Sequence, residues 1–255
     1  MEAPIRELVV DDDPKMVKTL VDIFRAKGHA PQGAHSGQEA LELLGRMSFD
    51  CVVSDIRMGT MDGLTLFRAI RRAGHDLPVI FMTAYADEDM VRQGLDEGVV
   101  GAITKPFDME RLLTFLGGVR QAGSVLIVDD DSEFCLALAE VLGARGFAVE
   151  QVSNAAALEC ALRPEHQTVL LGVKFDRTTG LEILKEIRRK SETVPVILIS
   201  GYAEELPEEA GEMLKKRAHA CLEKPVNMDR LLALLTELRH ARLRRLLEIP
   251  AGEGR

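Results

Sequence analysis

This chain carries one pattern written twice. Leu8-Val9-Val10-Asp11-Asp12-Asp13 returns as Leu126-Ile127-Val128-Asp129-Asp130-Asp131. Pro78-Val79-Ile80-Phe81-Met82-Thr83 returns as Pro195-Val196-Ile197-Leu198-Ile199-Ser200, and Thr104-Lys105-Pro106-Phe107 as Glu223-Lys224-Pro225-Val226. The three offsets are 118, 117 and 119 residues. Anchors at so constant a spacing mean a duplicated domain, because a repeat of this length is a whole domain and not one turn of a solenoid. The 255 residues fit two domains of ordinary size. The expected division is 1–120, 124–240 and a C-terminal extension over 241–255, with the join at Gly117–Ser124.

Each copy alternates short apolar strands with amphipathic helices, the pattern of a parallel α/β sheet. In the first copy the strands are expected near Arg6–Val10, Ala30–Ala34, Cys51–Ser54, Val79–Met82 and Gly101–Ile103. Asp13 is placed to cap a helix that begins at Pro14. Val17, Leu20, Val21 and Phe24 give that helix one apolar stripe, and Gly28 is placed to end it. Ser36-Gly37-Gln38-Glu39 reads as a capping box. Five strands with intervening helices predict a doubly wound, flavodoxin-like sheet in each copy. Asp229–Glu248 reads as one long helix. Its Leu231, Leu232, Leu235 and Leu238 cover the second sheet, and its Leu243, Leu246 and Leu247 lie beyond it.

Composition narrows the function. The net charge of −9 gives a field that does not draw nucleic acid or anionic membrane surfaces. Cys51, Cys135, Cys160 and Cys221 are scattered, with no Cys-x-x-Cys pair, and read as small buried hydrophobes in a reducing compartment. The N-terminus carries no basic-then-apolar leader, and no apolar run approaches a membrane span. A cytoplasmic protein without membrane insertion is expected. Six histidines show no metal-ligand spacing, and Met58 and Met61 read as loop lining.

In a parallel α/β sheet, functional groups gather at the carboxyl ends of the strands. Asp11, Asp12, Asp55, Thr83 and Lys105 all fall there. Any one of them alone fits an ordinary turn acid, strand-end hydroxyl or surface charge; five together point to a site. Crowded carboxylates repel one another unless a cation bridges them, and an oxygen-only site of this kind suits Mg2+. A carboxylate can also attack phosphorus to give an acyl phosphate, with the metal and a lysine neutralising charge on the transferring group. Thr83 is placed to donate a hydrogen bond to a phosphoryl oxygen.

With the acidic pair, the strand-end Asp, the Thr/Ser and the Lys-Pro in this order, the sequence resembles the receiver domains of bacterial response regulators, once per half. The resemblance implies that Asp55 accepts phosphate from a sensor histidine kinase. It assigns Mg2+ to Asp11 and Asp12, helped by Asp55 and the backbone carbonyl of Arg57. It also implies that Lys105 pairs with the phosphoryl group, that Pro106 follows a cis peptide bond, and that the phosphate is slowly self-hydrolysed. No other enzyme activity is implied. Many receivers carry an aromatic residue three positions before the lysine; here that position is Ala102.

The second copy departs further. Gly172 stands opposite Asp55, while Asp129, Asp130, Ser200 and Lys224 remain. Asp176, four residues on, would have to fold back to substitute. A degenerate receiver, serving as scaffold, docking surface or dimerisation unit, is the reading that follows, with output through a downstream protein partner. A phosphorelay intermediate passing phosphate to a histidine on another protein uses the same residues, as does the receiver part of a longer regulator. A Mg2+-dependent phosphatase with an Asp nucleophile typically needs a second Asp where this chain has Arg57. The basic stretch Arg239–Arg245 reads first as a helix end whose cations complement the dipole, and second as an amphipathic partner-binding or dimerising helix. The segment Ile249–Arg255 reads as a tail.

Overall fold

A strand covered by helices on both faces carries an unbroken apolar run, and the central strands here do so. In the first copy β1 (Glu7–Val10), β3 (Cys51–Asp55) and β4 (Val79–Thr83) are buried at every residue, flanked by β2 (Gln32–Ala34) and β5 (Gly101–Thr104). The computed structural model describes residues 4–84, 88–153, 161–163, 166–173, 175, 179–201 and 217–248. Cys160, Asp176 and Ile249–Arg255 lie outside the described residues. All strands of the first sheet pair in parallel, in the order β2-β1-β3-β4-β5. The order reverses between β1 and β3, which opens a crevice beyond their carboxyl ends.

The helices α1 (Pro14–Ala26), α2 (Gly37–Leu44), α3 (Gly63–Arg72), α4 (Glu88–Asp96) and α5 (Met109–Gln121) connect or follow these strands. Asp13 caps α1 by accepting from Lys15 N, with Pro14 in the first turn, and Gly28 sits at φ +85° just past its end. Ser36 caps α2 as expected, but the reciprocal half of the box differs. The Glu39 carboxylate accepts from the backbone N–H of His35, one residue earlier than the cap.

The second sheet repeats the first. The strands β6 (Ser124–Val128), β7 (Ala148–Val152), β8 (Thr168–Gly172), β9 (Val196–Ser200) and β10 (Ala220–Glu223) pair in the order β10-β9-β8-β6-β7. Its described helices are α6 (Ser132–Ala144), α7 (Gly180–Lys190) and α8 (Met228–Glu248). The chain divides into two compact units, Met1–Arg120 with His240–Arg255, and Gln121–Arg239. Gly117 and Gly118, read from the sequence as part of the join, lie inside α5. Leu112, Phe115, Leu116 and Val119 are all buried at helical spacing, and they carry α5 through Gly117 and Gly118.

The duplication also supplies an internal comparison at the start of β1. Glu7 is fully buried; one carboxylate oxygen meets His29 Nδ1 and the other has no partner. At the same offset the second copy has Val125 and Phe147, both buried in its core. Burial pushes the Glu7 carboxyl above its ordinary range, against the opposing pull of His29. A raised carboxyl binds protons more tightly folded than unfolded, so its contribution is fully present below the ordinary Glu value. That contribution is lost as pH rises through the folded value. Replacing the pair with its counterparts, Glu7→Val with His29→Phe, is expected to stabilise the first unit by about 1–4 kcal/mol at neutral pH. The gain should shrink as pH falls toward the ordinary Glu range. Thermal unfolding at several pH values checks this; a gain that grows on acidification contradicts it.

Candidate phosphoacceptor site

The crevice beyond β1 and β3 collects the predicted residues. Asp11 follows β1 and is 1% exposed, Asp55 ends β3 at 9%, and Thr83 ends β4 and is buried. Lys105 follows β5, and its Nζ donates to Asp11 Oδ2 and to Asp55 Oδ2, both at 2.8 Å. Its backbone N–H donates to Thr83 O at 2.7 Å, so the β4 and β5 ends are tied together. Burial pulls the Lys105 ammonium downward, but its hydrogen bonds and ion pairs with Asp11 and Asp55 together outweigh that, and the net shift is upward. The lysine is therefore charged throughout the neutral range.

Neighbouring backbone fixes the acids. Asp11 Oδ1 accepts from Asp13 N at 2.9 Å, and Asp12 Oδ2 accepts from Gly59 N at 3.2 Å. The Gly59 contact was not read from the sequence. It follows from the β3–α3 loop closing over the exposed Asp12. Gly63 has to be glycine at the same place, since a Cβ there would lie 2.5 Å from Asp55 O. Carboxylate oxygens of Asp11, Asp12 and Asp55 lie within 4.8 Å of one another. Three hard oxygen donors at that spacing fit a small divalent cation that keeps several waters. The peptide bond between Lys105 and Pro106 is cis, as is that between Lys224 and Pro225.

The sequence profile of the response regulator receiver domain matches the chain twice, over residues 8–116 and 125–236. The chain belongs to the response regulator receiver family. It is 30% identical over 202 residues to a response regulator receiver protein of Anaeromyxobacter sp. (strain Fw109-5), covering 79% of this chain and 85% of that one. It is 38% identical over 109 residues to the transcriptional regulatory protein GlrR of Escherichia coli (strain K12), covering 43% of this chain but 24% of GlrR. Among solved structures, the receiver domain of the Francisella response regulator 1452 is 30% identical, covers 45% of this chain and 95% of its own, and gives a TM-score of 0.43. Tandem receivers place the chain in two-component signalling.

In the second receiver the shell of the site persists around a different centre. Lys224 N donates to Ser200 O at 2.7 Å and Asp131 N to Asp129 Oδ1 at 3.0 Å, matching the first receiver bond for bond. Gly172 ends β8 in the place of Asp55. Asp129 has moved into the space: a Cβ built on Gly172 would lie 2.7 Å from Asp129 Oδ2. Lys224 Nζ sits 2.9 Å from Asp129 Oδ2 and 3.9 Å from Asp131 Oδ2, and 4.0 Å above the centre of the Phe134 ring. Phe134 and Asp131 were not singled out from the sequence. The available signal was Met16, the counterpart of Phe134, since an aromatic ring one helical turn beyond the acids can take up a lysine that lacks its acceptor. Below it, burial pushes the Cys135 thiol up to about 11, so it is an inert packing group.

Ala102 lines a cavity of about 450 Å3 in the first receiver. Thr83, Glu88, Val91, Phe107 and Arg111 line it with Ala102. Thr83 Oγ1 donates to Ala84 O at 2.8 Å, at the edge of this space.

Proposed function

We propose that the chain is a response regulator phosphorylated on Asp55, with a second receiver that cannot be phosphorylated at Gly172. The observation that carries this reading is the Lys105 ammonium held between Asp11 and Asp55. An ammonium so placed can neutralise a phosphoryl group arriving at the Asp55 carboxylate. An Asp55 carboxylate oxygen bonds to phosphorus as the P–N bond to a kinase phosphohistidine breaks, leaving the electron pair on the imidazole nitrogen. Lys105 then turns from the carboxylates to the phosphoryl oxygens, and the Thr83 hydroxyl exchanges its bond to Ala84 O for one to the phosphoryl group. Asp11, Asp12, Asp55 and the Arg57 carbonyl would hold Mg2+, which when bound supplies charge neutralisation and orients the phosphoryl oxygens.

Output passes through protein contacts, with a sensor histidine kinase upstream and a protein partner downstream. The second receiver serves as scaffold or docking module, because its pocket keeps the shell and lacks the nucleophile. No turnover of an external substrate is assigned to the chain; self-dephosphorylation alone is. Cys51 and Cys135 are buried as small hydrophobes, which fits the reducing, cytoplasmic setting proposed for the chain. Among the described residues no helix is long and apolar enough to cross a membrane.

Phosphate uptake from acetyl phosphate should require a divalent cation. Incubation with Mg2+ is expected to add one phosphate to the 28.1 kDa chain, and EDTA to prevent it. Equal uptake in EDTA would remove the acidic cluster from the reaction.

A further inference from the structure

Two glycines of the first receiver stand where the second has side chains. Gly101 in β5 corresponds to Ala220, and Gly118 in α5 to Glu237. Glycine is unfavourable both in a strand and in a helix interior, so two at once call for a compensating contact. The first compact unit supplies it, from its own segment His240–Glu248. A Cβ on Gly101 would lie 2.3 Å from Leu247 Cδ1, and one on Gly118 would lie 2.2 Å from Leu246 Cδ1. Leu243 and Leu247 are buried, and Arg244 Nη2 donates to Val99 O, just before β5, at 3.4 Å. Each leucine thus enters a notch that any larger residue would fill.

The seat is joined to the phosphoacceptor site by one strand. β5 runs from Gly101 to Thr104; Gly101 pairs with Ile80 and Thr104 with Thr83. Lys105 follows directly, bonded to Asp55 at one end and to the Thr83 carbonyl at the other. We propose that the β5–α5 face of the first receiver is a built docking surface for the chain's own C-terminal helical segment. The segment binds the unphosphorylated form and is loosened when Lys105 and Thr83 turn to a phosphoryl group on Asp55. The segment whose second reading from the sequence was a partner-binding or dimerising helix is, in this proposal, held by the chain until the switch releases it. A segment that binds one state better favours that state, and the coupling is reciprocal.

The inference rests on phosphorylation at Asp55, and the test separates the two. Hydrogen exchange of the full chain is followed by mass spectrometry before and after acetyl phosphate with Mg2+, beside intact mass. Backbone amides of residues 243–248 are expected to exchange at least tenfold faster in the phosphorylated chain. The variant Gly118→Leu fills a notch whose nearest neighbours are Leu246 and Leu243 alone. It should unprotect the same amides without phosphate and raise the rate of phosphate uptake about threefold. Leu247→Ala, which removes the knob and leaves the notch, should act in the same direction. Phosphorylation that leaves exchange at 243–248 unchanged overturns the inference, as does an unseated segment that leaves the uptake rate unaltered. A chain that takes up no phosphate at all brings down the Asp55 reading and this coupling with it, and intact mass tells that failure from the others.

Discussion

A chain carrying Asp55→Ala and Gly172→Asp together is expected to take up phosphate where Asp55→Ala alone takes up none. The second receiver keeps Asp129, Asp130, Ser200 and Lys224 around the end of β8, with two backbone bonds of the first receiver reproduced, Lys224 N to Ser200 O and Asp131 N to Asp129 Oδ1. What is missing is one side chain. The obstacle to restoring it is the tip of Asp129, 2.7 Å from the built Cβ, and a carboxylate tip can swing aside by rotation about its side-chain bonds. A second obstacle is the hold of the Phe134 ring on Lys224. Such a contact is worth about 0.5–2 kcal/mol, which slows any step requiring the lysine to leave by up to roughly 30-fold. Uptake should therefore return, but more slowly than at Asp55, and adding Phe134→Met should quicken it. Intact mass after acetyl phosphate checks this. A folded double variant that stays unmodified would mean that more than the acceptor has been lost.

Lys105→Met should move two quantities in opposite directions. Lys105 Nζ occupies one oxygen each of Asp11 and Asp55, two of the three carboxylates that could hold a cation. Ammonium and cation compete for these oxygens and repel each other. Without the lysine, Mg2+ is expected to bind about tenfold more tightly, a change of about 1.4 kcal/mol. Phosphate uptake should fall by about 10²- to 10³-fold, the usual cost of removing one group aimed at developing charge. Calorimetric titration and initial rates check the two arms. Unchanged Mg2+ affinity would show that the lysine and the cation use different oxygens.

Much of this was legible in the sequence because parallel sheets place chemistry at strand ends. An acidic triplet closing an apolar run, or a lysine before proline after another, fixes both an element and its functional end. Asp11, Asp55, Thr83 and Lys105 meet in space for that reason. The partner of Glu39 was misread by one residue, since capping geometry depends on the path of the chain before the cap. Phe134 was passed over because its only signal is the exchange of Met16 for an aromatic ring, which the repeat anchors do not include. Gly117 and Gly118 were read as part of the join, because a notch such as the one at Gly118 looks like a break until the side chain that fills it is seen.

One live receiver beside one silent one is tested by intact mass after acetyl phosphate and Mg2+, with wild type beside Asp55→Ala. A single added phosphate is expected in the wild type and none in the variant. Phosphate that persists in the Asp55→Ala chain would contradict it, placing an acceptor elsewhere in the chain.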